Sequence, residues 1–312
     1  MAVDLAIRLG LGVDTVDVVP GGNQNHVVRV RGPVTDVVVR FARDPAGLTS
    51  DPFDIEQWCS GAAAAAGVTT PRTLARQRCD GFSVIVQEFV AGEPARADDL
   101  HAWEAIGRIA TKLAEVDTRH APDELFSRFG RDLRSAWVQH LDYNLDALAT
   151  DDPLRDLGVY AAGHRTALIE MLRRLRARPL EQGLSHGDLS TRNLLAVAGG
   201  YAVLDWGSAG AGPVPWTDLE QIYRWHVTAD PVTQVSEDAW LAVLSGAGLS
   251  GPGVPALIDE LQILHVLDVV RWARDRRPDR LPGLVREARL VISRVLPPAF
   301  SSTGDDAEAT NG

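Results

Sequence analysis

Hydropathy patterning changes character near residue 91, and no other feature restricts the fold as much. Upstream, short β-branched runs alternate with turn signals. Residues 13–19 alternate apolar and polar side chains. Residues 26–31 and 36–41 are separated by Gly32-Pro33, and 72–77 and 83–89 by Asp80-Gly81, both hairpin signals. One helix is expected among them, over 53–66, with Asp51 and Asp54 near its start and Gly67 just past its end. Downstream, Leu100, Trp103, Ile106, Ile109, Ala110 and Leu113 recur at helical spacing. Further helices are expected over about 132–149, 155–177, 216–228, 236–247, 254–275 and 281–295. A short β-like island, 194–197 and 201–204 around Gly199-Gly200, interrupts them. The pattern predicts an α+β chain. Residues 1–90 form a small strand-rich lobe, 91–300 a larger helical lobe, and 301–312 a disordered tail without large apolar residues.

Composition removes several function classes. The chain has 312 residues and a net charge of −11, which argues against the broad basic face that binds nucleic acid. No run approaches the ~18 apolar residues of a membrane span. The start, Met1-Ala2-Val3-Asp4, lacks the basic and apolar regions of a secretory signal. Two cysteines, Cys59 and Cys79, cannot build a disulfide framework or a four-cysteine zinc site. The expected location is the cytoplasm, and the expected partner is a cationic or neutral small molecule. Asp117, His120 and Asp123 complete no metal-ligand set and read as a solvated loop.

The chemistry concentrates at His186-Gly187-Asp188-Leu189-Ser190-Thr191-Arg192-Asn193, with Asp205-Trp206-Gly207 following after the β-like island. Asn193 and Asp205 flank two short strands and converge. An aspartate, an asparagine five residues on, and a second aspartate before glycine suit phosphoryl transfer. One carboxylate, Asp188, accepts the proton of an attacking hydroxyl. The Asn193 amide oxygen and the Asp205 carboxylate suit Mg²⁺, a hard cation that takes oxygen ligands.

This constellation resembles the protein-kinase catalytic loop and its metal-binding aspartate. With glycine after the histidine, it is more closely similar to the aminoglycoside phosphotransferase family, kinase-like enzymes that phosphorylate antibiotics and other small molecules. The resemblance implies a protein-kinase-like two-lobe fold and the cofactors ATP and Mg²⁺. It makes Asp188 the base or hydroxyl-orienting group, Asn193 and Asp205 the metal ligands, and His186 an organiser of the loop. Trp206 reads as core.

The resemblance also implies roles upstream. Gly21-Gly22-Asn23-Gln24-Asn25-His26 stands where a phosphate-covering loop belongs, so Gly22 and Asn23 are expected to bind nucleotide. The third strand offers Arg40 to the phosphates. Lys112 is the only lysine in the chain, so the usual strand lysine is absent. Guanidinium grips phosphate oxygens with two donors and stays charged. Glu56 is the expected ion-pair partner of Arg40, with Asp54 competing. Residues 84–92 fit the strand into the hinge, with backbone groups from Glu88 to Val90 on the adenine edge.

Acceptor contacts are expected in the helical lobe. Asp218 follows the metal aspartate, and it doubles as a candidate fold-stabilising residue. Asp268 and Trp272 share a helix face. Tyr223, Trp225 and His226 suit either stacking or core packing. The implied function is phosphorylation of a small-molecule hydroxyl. The acceptor expected is an antibiotic of aminoglycoside, basic-peptide, macrolide or nucleoside type, with resistance or self-protection as the outcome. Two alternatives share the motifs: a metabolic kinase for choline-, homoserine- or sugar-like substrates, and a non-catalytic nucleotide-binding module. A protein kinase is disfavoured, because no Ala-Pro-Glu follows Asp205 where an activation segment would end.

Overall fold

The structure is a computed structural model that describes residues 7, 10, 12–19, 25–42, 51–79 and 81–296. The expected phosphate-loop residues Gly22 and Asn23, and the tail 301–312, lie outside the described residues.

Five strands form an antiparallel sheet: β1 (Thr15–Val18), β2 (Asn25–Gly32), β3 (Thr35–Ala42), β4 (Thr73–Cys79) and β5 (Phe82–Glu88), in the order β1-β2-β3-β5-β4. Strand alternation separates its two faces. Val37, Val39 and Phe41 of β3 pack with Val30, Val84 and Val86 on one face. Arg40 and Ala42 point to the other, where Ala42 and Ile85 meet Phe53 of helix α1 (Pro52–Ala65). Asp51 caps that helix, its side chain accepting the Phe53 N–H at 3.0 Å. Gly67, just past the helix, has φ +80°, a conformation that favours glycine.

Helix α2 (Leu100–Lys112) buries Trp103, Ile106 and Ala110, as the spacing predicts, and ends before the 3₁₀ turn Leu113–Glu115. The Lys112 ammonium donates to the Gly67 carbonyl at 3.2 Å. Further helices are α3 (Leu133–Ala149), α4 (Pro153–Asp156), α5 (Arg165–Ala177), α6 (Trp216–Val227), α7 (Glu237–Gly246), α8 (Gly253–Arg276) and α9 (Leu281–Val295). The single helix expected over 155–177 is therefore two helices with a break. Asp152 caps α4 by accepting the Leu154 N–H, and the turn closes at Gly158, whose φ of +66° ends the helix. α2 and α7 pack closely because glycines meet backbone. A Cβ built on Gly107 falls 2.0 Å from the Val243 carbonyl oxygen, and one on Gly246 falls 1.9 Å from that of Glu104.

The β-like island is a hairpin, β8 (Leu194–Val197) and β9 (Gly200–Val203), joined on the β8 edge by the two-residue β6 (Glu93–Pro94). A further pair, β7 (Gln182–Ser185) and β10 (Gly210–Pro213), has no sequence signature. β10 reads Gly-Ala-Gly-Pro, a loop composition that becomes a strand only because β7 supplies its ladder.

The described residues divide into two compact units, Met1–Gln139 with Pro179–Val254 and His140–Arg178 with Pro255–Gly312. The second unit is built around a polar chain. Arg271 pairs with Asp152 at 2.8 Å, both nearly fully buried, and Tyr160 donates to the same Asp152 oxygen at 2.9 Å. Arg271 also donates to Asn144 Oδ1, and Asn144 Nδ2 donates to Asp268 at 3.0 Å. Among the described residues, no helix is long and apolar enough to cross a membrane.

Candidate active site

Arg40 leaves β3 on the α1 side of the sheet. Its Nη1 bonds Glu56 Oε1, and its Nη2 donates to Asp205 Oδ1 at 3.3 Å. Glu56 sits three residues after Phe53, so the two share a helix face that packs on the sheet. Glu56 is only 2% exposed. Burial pushes its carboxyl above the usual carboxylate range, the Arg40 charge pulls it back, and the Asp205 charge pushes it up again. Asp54, the competing partner, pairs with Arg76 instead.

The segment from His186 to Asn193 is fixed from three sides. The Asp218 carboxylate accepts the N–H groups of His186 at 3.0 Å and Gly187 at 2.8 Å. His186 Nε2 lies 2.9 Å from the Leu204 carbonyl, and its Nδ1 accepts the Asp188 N–H at 3.3 Å. That pattern fits a tautomer with the proton on Nε2. Trp206 is buried and meets the His186 ring edge-on at 4.7 Å. Gly187 has φ +75°, and a Cβ there would fall 2.1 Å from the Ser208 carbonyl oxygen. Only glycine allows the loop to press so closely on the turn after Asp205.

Asp188 emerges from this frame partly exposed. Its Oδ2 accepts Asn193 Nδ2 at 3.0 Å, and its Oδ1 accepts Arg192 Nη2 at 3.1 Å. Asn193 Nδ2 also reaches the Asp188 carbonyl at 2.8 Å, so the amide nitrogen is spent and Oδ1 remains. The Asn193 carbonyl accepts the Leu204 N–H at 2.8 Å, which draws Asp205 beside it.

Asp205 has φ 59° and ψ 66°, the left-handed region. That conformation costs a non-glycine residue about 1 kcal/mol, and such outliers concentrate at functional sites. The carboxylate is 56% exposed, with one oxygen against Arg40. Asn193 Oδ1 and the second Asp205 oxygen are both hard oxygen donors, the ligand type that suits Mg²⁺.

The hinge segment is more committed than its sequence suggests. The Glu88 N–H donates to the Arg72 carbonyl at 2.9 Å, and the Phe89 N–H to that of Asp36 at 3.1 Å. The Glu88 side chain pairs with Arg72 at 2.7 Å, and that hydrogen bond holds its carboxyl below the usual range. Val90, half-buried, is the first hinge residue past these bonds.

Asp218 was expected as an acceptor contact or a fold-stabilising residue. It is 1% exposed, with both oxygens engaged by backbone amides, so its position is that of a loop support. Burial pushes its carboxyl above the usual carboxylate range, while the two N–H donors pull it back. Asp268 and Trp272 lie in the second unit. Asp268 accepts from Asn144 and lies 2.7 Å from His140 Nε2, and Trp272 is 46% exposed. Tyr223 packs on Trp240 at 5.1 Å, a core contact, while Trp225 lies 5.9 Å from the Arg192 guanidinium. Arg192 escaped the sequence reading; its one signal is the four-residue spacing from Asp188.

Solved structures share this architecture. Aminoglycoside phosphotransferase APH(4)-Ia, a thermostable mutant in ternary complex with AMP-PNP and hygromycin B, is 15% identical with TM-score 0.60, over 94% of this chain and 98% of that one. A choline/ethanolamine kinase family protein from Mesorhizobium loti is 16% identical with TM-score 0.57, over 94% and 95%. Spectinomycin phosphotransferase APH(9)-Ia, in complex with ADP and spectinomycin, is 12% identical with TM-score 0.51, over 92% and 96%. At these identities the likeness is one of fold, and it is the kinase-like fold. No curated protein sequence matches the chain. The model of the phosphotransferase enzyme family APH matches residues 15–235. With most of its length matched, residues 186–205 included, the chain belongs to the APH phosphotransferase family and is an enzyme of that class.

Proposed function

We propose that this enzyme transfers the γ-phosphoryl group of ATP to a hydroxyl of a small molecule, and that the acceptor is an antibiotic. The observation that carries the reading is the Glu56–Arg40–Asp205 chain, set beside the Asp188–Asn193 pair. It gathers a phosphate-binding cation, an oxygen donor set and a base in one unit.

Each residue has a task. Arg40, held by buried Glu56, offers its guanidinium to phosphate oxygens. Asp188 accepts the proton of the acceptor hydroxyl and orients it for in-line attack. Asn193 and Asp205 would hold Mg²⁺, which supplies charge neutralisation at the phosphates when bound. The backbone of Glu88 to Val90 takes the adenine edge; the Glu88 and Phe89 N–H groups are already bonded, which leaves Val90 as the candidate donor. The net charge of −11 supports a cationic acceptor.

The test is ADP release from ATP and Mg²⁺ across aminoglycosides, tuberactinomycin-type peptides, macrolides, nucleoside antibiotics, choline and amino sugars. Signal with one antibiotic class is expected, and Asp188→Asn should lower its kcat by roughly 10²–10⁴-fold with nucleotide binding retained. Turnover with choline or an amino sugar alone would replace the antibiotic acceptor with a metabolic one. Protection of a sensitive bacterium expressing the gene tests the resistance role. A chain that binds no nucleotide overturns the reading.

A further inference from the structure

Arg192 stands on the 3₁₀ turn Thr191–Asn193, four residues after Asp188. Its Nη2 takes Asp188 Oδ1 at 3.1 Å, while Asn193 takes Oδ2 at 3.0 Å. Each carboxylate oxygen therefore has its own donor, one cationic and one neutral. The turn that carries Arg192 is pinned. Ser190 and Thr191 are buried, and the Asn193 N–H closes on the Ser190 carbonyl at 3.0 Å. Arg192 Nε reaches Ser190 Oγ at 3.4 Å, and the guanidinium lies 5.9 Å from the Trp225 ring centre. The side chain itself is 42% exposed.

An exposed pair at this spacing adds little to stability. Its effect falls on Asp188. A carboxylate held at one oxygen swings about its terminal torsion, which is broad and soft. Held at both oxygens, it presents one lone-pair direction. Phosphoryl transfer depends on that orientation, because misplacing a reacting group by about 1 Å costs up to ~10²-fold in rate.

We propose that Arg192 is a positioning residue for phosphoryl transfer: with Asn193 it clamps the Asp188 carboxylate in the orientation that receives the acceptor proton. The proposal rests on the assignment of Asp188 as base.

Two measurements test it. In ¹⁵N NMR of the full-length protein, the clamp predicts hindered rotation of the Arg192 guanidinium, with separate Nη signals that merge in Asp188→Asn. Freely averaging Arg192 signals in the wild type overturn the clamp, and this arm needs no acceptor. In steady-state kinetics with whichever acceptor the ADP-release panel identifies, Arg192→Ala should lower kcat by about 10–100-fold and leave KM for ATP within about twofold. Arg192→Lys, which keeps a charged donor, should recover most of the loss. Wild-type kcat in an Arg192→Ala protein that melts like the wild type overturns the proposal. Equal loss in the lysine and alanine variants also overturns it. If no acceptor on the panel is turned over while the NMR clamp is present, the functional reading fails and the positioning role falls with it, the clamp then being a contact of the loop alone.

Discussion

Arg40 reaches two carboxylates with one guanidinium, Glu56 on Nη1 and Asp205 on Nη2. A planar fork with fixed donor directions suits that double contact better than a compact ammonium. The neighbouring Cys59 shows how dry this side of α1 is. It is fully buried, and burial, reinforced by the Glu56 charge, pushes its thiol up to about 12 from 9.0. Two outcomes are expected. At pH 8 the native protein should react with a thiol reagent at one cysteine at most, and with both only after denaturation. The folded pKa also lies above the unfolded one, so the thiol's contribution is complete below pH 9 and is lost as pH climbs towards 12. Urea midpoints should fall over that range, and less steeply in Cys59→Ala. An alkaline slope unchanged by that substitution would assign it to another group.

Elements show where glycine serves packing and where it does not. Gly107 and Gly246 let α2 and α7 approach until a Cβ would strike backbone oxygen. Gly61, inside α1, has nothing within 4 Å of its absent Cβ. Gly107→Ala should therefore destabilise by roughly 2 kcal/mol, overpacking outweighing the gain in helix propensity. Gly61→Ala should stabilise by roughly 0.5–1 kcal/mol. Thermal melts that move in the same direction for both would overturn the packing account. The same contrast explains what the sequence made legible. The strand-then-helix order and the pairing of Arg40 with Glu56 could be read, because each depends on local pattern or on a motif at fixed spacing. The supporting role of Asp218 was open to the sequence only through the resemblance, since its helical spacing says nothing of two amides 31 and 32 residues away. Neither β10, whose glycines and proline carry no strand propensity, nor the break at Gly158 could be read. Arg192 lay inside the motif, yet its value is visible only once both oxygens of Asp188 are accounted for.

Across the whole molecule, chain order and spatial order diverge. The second unit joins His140–Arg178 to residues beyond Pro255. Its buried Arg271–Asp152 pair and the Arg174–Glu260 pair at 2.9 Å both bridge those two stretches. Ending the chain at Val254 should leave Asp152 buried without its cation, a loss of about 3–5 kcal/mol for such pairs. Limited proteolysis should then cut within 140–178, a region protected in the full chain. Equal protection in both would mean the first stretch folds alone. The arginine on β3 has one more consequence, for chemical proteomics. Nucleotide probes that profile kinases acylate a primary amine beside the phosphates, and a guanidinium is a poor target for acylation. The one lysine amine, Lys112, is on α2 against the Gly67 carbonyl. Under the proposed role of Arg40, surveys built on lysine acylation would pass over this enzyme even when it is abundant; loss of Arg40 labelling by an arginine-selective dicarbonyl reagent on addition of nucleotide is the signal that would find it.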